Sequence, residues 1–168
     1  MIFVTVGTQK FPFDRLFIEL DNLVDSGKIN EEIIAQIGFS KYKPKNYESF
    51  AMVDSTKMNE FIDKASILIT HGGTSSIIQG LKKEKKVLVV PRRKKYGEHV
   101  DDHQVEIAQM FYDLGLIEIV NDIKELYGKL CEMNNKEYKK YESDKSLLLN
   151  SISEYLESLW INKLNKTK

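Results

Sequence analysis

The chain has 168 residues, 42% of them hydrophobic and 30% charged, with 25 basic and 25 acidic side chains that cancel to zero formal charge. That length and balance suit one domain with a real core and exclude a global electrostatic pull toward nucleic acid or membrane. A single cysteine, Cys131, excludes an intramolecular disulfide and a multi-cysteine metal site, and it reads as a half-buried helix residue.

Residues 2–6 form a continuous β-rich run, as in a strand buried on both faces. Gly7-Thr8-Gln9 follows as a turn. Pro12 favours the first turn of a helix, Leu16, Phe17, Leu20, Leu23 and Val24 recur at helical spacing, and Gly27 ends it. Residues 33–37 predict a second strand and the polar stretch 38–48 a loop. Phe50-Ala51-Met52-Val53 predicts a short third strand. Asp54 or Ser55 caps a helix running to about residue 64. A fourth strand at 66–70, a helix at 75–83 and a strand at 86–90 follow. Residues 101–114 predict the next helix and 116–120 a sixth strand. A helix capped by Asn121 or Asp122 runs through Cys131, and 135–163 reads as a charged helix with Leu147, Leu148, Ile152, Tyr155, Leu156 and Leu159 at helical spacing. The βαβα alternation with short connections implies an α/β fold: one Rossmann-like, doubly wound, mostly parallel sheet of about six strands in a single domain over 1–164. The last helix packs on this domain or on a partner.

Two turns carry chemistry. Gly7-Thr8-Gln9 follows strand one, and His71-Gly72-Gly73-Thr74-Ser75-Ser76 follows strand four. In a sheet ordered 3-2-1-4-5-6 these strands are neighbours where the winding reverses, so their loops flank one crevice. Small and hydroxyl residues at a helix N-terminus present several N–H and O–H donors to a diphosphate without requiring a metal. Neither turn matches a Walker A loop or the Gly-x-Gly-x-x-Gly fingerprint. His71 either packs under the loop or contacts phosphate or substrate. His99, Asp101, Asp102 and His103 resemble a metal cluster at first sight, but the loop before them is not helical, and Asp101 reads instead as a helix N-cap with Gln104 completing a capping-box variant. No metal or cofactor is expected. Lys82, Lys83, Lys85, Lys86, Arg92, Arg93, Lys94 and Lys95 make a basic stretch, either a solvated surface or a contact for an anionic partner, nucleotide or membrane; nucleic acid is not expected.

The runs Phe3-Val4-Thr5-Val6-Gly7-Thr8-Gln9 with Pro12-Phe13-Asp14-Arg15-Leu16, Asp63-Lys64-Ala65 with Thr70-His71-Gly72-Gly73-Thr74-Ser75-Ser76, and Pro91 with Asp102-His103-Gln104 and Ala108 resemble the C-terminal, nucleotide-sugar-binding half of the family 28 glycosyltransferases. The resemblance implies half of a GT-B fold. At half size the chain is similar to small subunits that pair with a membrane-bound partner: the soluble subunit of the dolichol-linked N-acetylglucosaminyltransferase, and bacterial subunits of capsule and exopolysaccharide synthesis, which the stretch 91–104 resembles most. For the latter the implied reaction is inverting β-1,4-galactosyl transfer from UDP-galactose to a lipid-pyrophosphate-linked glucose. The implied donor site comprises Gly7, Thr8, Gln9, Gly72, Gly73, Thr74, Ser75, Ser76, Gln79, Asp102 and Gln104, with His103 and Gln104 toward the donor sugar or the nucleotide. His71 and His103 are the candidates for the general base, which could also sit on the partner. Gln79 stands where the family often has a ribose-gripping glutamate. A non-catalytic, partner-binding subunit that keeps the fold is the alternative. No apolar stretch reaches the roughly 18 residues needed to span a bilayer, and the N-terminus lacks a signal h-region. The expected location is therefore cytoplasmic, at the inner face of the membrane through a partner.

Overall fold

The computed structural model describes residues 1–142. Its strands Ile2–Thr5 (β1), Ile33–Gln36 (β2), Glu48–Phe50 (β3), Ile67–Thr70 (β4), Lys86–Val89 (β5) and Glu118–Ile119 (β6) form one parallel sheet in the order β3-β2-β1-β4-β5-β6. The helices between and after them are Asp14–Asp25 (α1), Ser55–Lys64 (α2), Thr74–Lys82 (α3), His103–Asp113 (α4) and Leu126–Asn134 (α5). The continuous apolar strands follow from burial on both faces. Ile2, Val4, Ile33, Ala35, Ile67 and Ile69 pack with α1 (Leu16, Phe17, Leu20) and α5 (Leu126, Leu130, Met133). Their neighbours Phe3, Ile34, Leu68, Val87 and Val89 pack with Ile62 of α2, Ile77 and Leu81 of α3, and Ala108 and Phe111 of α4. None of the described helices is long and apolar enough to cross a membrane.

Four expectations need correction. The third strand is Glu48–Phe50, two residues earlier than the apolar run 50–53 suggests. It is an edge strand, so its position is set by backbone pairing with β2, and Ala51 and Met52 lie exposed beyond it. Helix α1 starts at Asp14, so Pro12 precedes it; the Pro12 carbonyl accepts a hydrogen bond from Arg92 instead. The charged helix expected from residue 135 does not begin there. The chain after α5 is irregular through 142, because Lys136 pairs with buried Glu118 at 2.6 Å and the Lys139 N–H donates to the Gly115 carbonyl. The rest of that expected helix lies outside the described residues. Cys131 is exposed on α5 rather than half-buried.

The polar stretch 38–48 is a loop moored to α1. Asp14 accepts from the Lys41 and Tyr42 amides, and buried Asp21 accepts from the Lys45 and Asn46 amides and the Tyr42 hydroxyl. Burial opposes ionisation of Asp21, but these donors outweigh it and hold its carboxyl below the ordinary range.

Candidate functional site: a glycine-lined anion cradle

β1 and β4 pair in register, Ile2 with Ile67 and Thr5 with Thr70. Their following loops therefore emerge side by side at the carboxyl edge, where ligands bind in open α/β sheets. Between the two loops stands His71, only 7% exposed. Thr70 Oγ1 donates to the Thr5 carbonyl at 3.0 Å and lies 3.3 Å from His71 Nδ1. A hydroxyl has one proton to give, so Nδ1 carries the other and Nε2 is left with a free lone pair. Burial first, and the nearby Arg92 charge second, push the His71 pKa down to about 4.

The glycines make room for this ring. Gly7 has φ +72°, a conformation that disfavours any side chain, and a Cβ there would lie 2.7 Å from His71 Cε1. Gly73 has an ordinary backbone (φ −78°, ψ 120°), but a Cβ on it would collide with His71 Nε2. A Cβ on Gly72 would lie 2.7 Å from the Cβ of Gln104, where α4 crosses. Gly73 is also the N-cap of α3 and supplies no side-chain cap; the Ser76 amide donates to the Gly73 carbonyl at 3.1 Å, and the Thr74 and Ser75 amides stay open to the described residues at the positive end of the helix. Thr74 and Ser75 are exposed there and Ser76 half-buried. Thr8 and Gln9 continue from Gly7 as an exposed bend facing solvent.

The outer wall is the loop after β5. Asp102, rather than Asp101, is the N-cap of α4, and its carboxylate is occupied by the Lys94 amide at 2.9 Å. Asp101 still caps in effect, accepting from the His103 amide at 3.1 Å. Gln104 does not complete a capping box. It is buried, and its Oε1 accepts from the Arg92 amide. His103 stands exposed on the helix surface, 3.1 Å from Glu106. Gln79 lies away from the loop on the second turn of α3 and donates to Asn59 of α2 at 3.1 Å.

The basic stretch is not one solvated face. Arg92 is fully buried, and its guanidinium donates to the carbonyls of Val6, Phe11, Pro12 and Glu98. Arg15 pairs with buried Glu98 at 2.7 Å and also donates to the Pro91 carbonyl. The ring of Phe13 lies under both guanidinium groups, about 5 Å away. Together these contacts lock the loop after β1 to the loop after β5. Arg92 escaped the sequence reading because it sits within a lysine-rich run; its one signal is its place directly after the apolar run Val87-Leu88-Val89-Val90-Pro91.

The profile of the glycosyltransferase family 28 C-terminal domain matches residues 1–159. The chain belongs to this family. As a family 28 chain it is 31% identical over 130 residues to the Candida albicans protein named UDP-N-acetylglucosamine transferase subunit ALG13, covering 77% of this chain and 41% of that one. The Debaryomyces hansenii protein of the same name is 30% identical over 140 residues, covering 76% and 63%. The human protein of that name is 33% identical over 125 residues, covering 68% and 10%. This family 28 chain thus spans less than two thirds of the length of each of these relatives. Among solved structures it superposes on a glycosyltransferase of kitacinnamycin (TM-score 0.60, 16% identity, 80% of this chain and 35% of that one) and on Acinetobacter baumannii MurG (TM-score 0.55, 16% identity, 79% and 41%). These similarities show the fold, a Rossmann-like domain of the GT-B glycosyltransferases.

The depressed His71 pKa has a measurable consequence. In the unfolded chain the ring takes up a proton near pH 6.5, in the folded chain only near 4. Stability is therefore full above pH 6.5 and falls as pH drops toward 4, by about 2 kcal/mol between pH 7 and pH 5. Thermal unfolding of His71→Asn should lose less between pH 7 and pH 5 than the parent chain does; equal losses would refute a neutral buried ring.

Proposed function

We propose that this chain is the donor-binding subunit of an inverting glycosyltransferase that moves a hexose from a UDP-sugar to a saccharide carried on a lipid pyrophosphate. The observation that carries the reading is the anion cradle: open α3 amides beside Gly7, with His71 packed between the glycines. As the acceptor hydroxyl attacks the anomeric carbon, negative charge grows on the departing UDP. Fixed amide dipoles at that position stabilise the transition state more than the ground state. Thr74, Ser75 and Ser76 add hydroxyl donors for the diphosphate. Gln104, buried beside Gly72, keeps its oxygen bonded to the Arg92 amide and so holds the loop after β5 against the cradle.

The name "subunit" borne by the ALG13 relatives supports a second chain that presents the acceptor. We place that partner in the membrane and this domain at its cytoplasmic face. The stretch 91–104 supports galactose as the transferred sugar in polysaccharide synthesis, whereas the names of the relatives support N-acetylglucosamine. Transfer by the complex of this chain with its partner, assayed with UDP-galactose, UDP-N-acetylglucosamine and UDP-glucose, separates the two. Calorimetry with UDP and ADP tests the site itself: UDP binds and ADP does not, and failure to bind UDP would overturn the reading. A non-catalytic subunit is the second reading, favoured by Gln79, whose amide is engaged by Asn59 rather than held toward the cleft. Undiminished transfer by the partner alone would establish it.

A further inference from the structure

Neither histidine singled out from sequence is placed as a base. His71 is sealed, with its Nε2 against Gly73. The side chains of His103 and its neighbour Glu106 are 65% and 78% exposed, so little holds that pair in one geometry. His99 is different. Its side chain is 12% exposed, its Nδ1 lies 2.8 Å from Asp101 Oδ1, and its ring packs on Phe11 with centroids 5.8 Å apart. Phe11 belongs to the loop that starts at Gly7, and its carbonyl is gripped by buried Arg92. Asp101 is fixed in turn by the His103 amide at the start of α4. The His99 ring is thus held by one loop of the cleft and packed against the other.

We propose that His99 is the general base of the transfer and that Asp101 is its positioning residue. This rests on the glycosyl-transfer reading above. The tautomer follows from the contacts. The Asp101 amide also lies 3.4 Å from Nδ1, but the 2.8 Å charge-assisted contact with the carboxylate is the stronger and requires a proton on Nδ1. Nε2 then holds the lone pair, and it makes no hydrogen bond to the described residues. His99 stands on the loop after β5, the outer wall of the cradle, and that loop is locked to the loop after β1 by Arg92 and Arg15. In the step, the acceptor oxygen bonds to the anomeric carbon and the bond from that carbon to the β-phosphate oxygen breaks. The electron pair leaves with UDP, and the acceptor proton passes to His99 Nε2. Asp101 holds the ring in the correct tautomer and stabilises the imidazolium that forms, as the carboxylate of any carboxylate–histidine pair does.

The test uses the complex of the full chain with its membrane partner, with UDP binding measured alongside transfer. His99→Gln should lower kcat about 100-fold or more with UDP affinity unchanged. Asp101→Asn should lower it about tenfold or more by favouring the wrong tautomer. His99→Gly should recover part of its activity when imidazole is added, a rescue that lost folding could not give. Three results would overturn the proposal: kcat within about threefold of the parent for His99→Gln, a loss shown by His103→Gln instead, or loss of UDP binding together with activity in His99→Gln. If the parent complex binds no UDP, the glycosyl-transfer reading falls first; if it binds and transfers while His99→Gln does too, only the base assignment falls.

Discussion

Gly73→Asp is expected to abolish UDP binding. Two effects act at this position. The Cβ alone runs into His71 Nε2, so either the ring or the start of α3 must move. The carboxylate then occupies the mouth of the cradle, where the α3 amides would meet a diphosphate. A like charge about 4 Å from the phosphate costs about 4 kcal/mol at an effective dielectric near 20, roughly a thousandfold in affinity. Gly73→Ala separates the causes, since it keeps the collision and omits the charge. It should weaken UDP about tenfold, or about 1.4 kcal/mol. Because the backbone at Gly73 is ordinary (φ −78°, ψ 120°), neither variant is strained by conformation, and any loss of affinity reports the space and the charge. Titration calorimetry of both variants checks this, and a UDP affinity unaltered by aspartate would remove the diphosphate from this cradle.

Arg92→Met lowers the stability of the domain by about 3–4 kcal/mol, more than most single substitutions. Methionine fills much of the same space but donates nothing. Four carbonyls, of Val6, Phe11, Pro12 and Glu98, lose their donor inside the protein, and each buried acceptor left unpaired costs about 1–3 kcal/mol before relaxation. Relaxation is available, because the loop after β1 can swing outward to water. That movement limits the stability loss and carries Thr8 and Gln9 away from the α3 amides, so UDP affinity falls as well. Arg92→Lys keeps the charge but cannot span four acceptors with one ammonium, and should fall between the parent and Arg92→Met. The adjacent Arg93, whose side chain among the described residues bonds the exposed Asn121 oxygen alone, serves as the control: Arg93→Met should cost less than about 1 kcal/mol. Urea denaturation of the three variants gives the order directly, and equal midpoints for Arg92→Met and the parent would contradict the buried-donor account.

The strand order was legible because the chain alternates short apolar runs with helical periodicity, and parallel strands buried on both faces leave few topologies. The crevice between β1 and β4 was legible for the same reason. The third strand was misplaced because an edge strand has a neighbour on one side only and its apolar residues are not all buried, so hydrophobicity pointed at Ala51 and Met52, which are exposed. Gly7, Gly72 and Gly73 stood out as glycines, but the reason for them did not. All three are small because of what packs against them, His71 in two cases and Gln104 in the third, and those neighbours are contacts of tertiary structure. Arg92 and Glu98 were hidden more completely. Their residue types favour the surface, and only the folded chain shows that each is enclosed by a loop distant in sequence.

Both rims of the sheet are short. β3 contributes three residues and β6 two. At the β6 rim the fully buried Glu118 is clamped by Lys129 and Lys136; burial opposes its ionisation, but the two lysines prevail and hold it charged. A foreign strand laid along β6 would find too few free backbone groups to form a ladder, and it would have to dislodge that clamp. Among the described residues, neither rim therefore offers a ladder for a seventh strand. A partner docking through side chains and loops instead would leave the spacing of β1 and β4, and with it the cradle, the same in the free and the assembled domain.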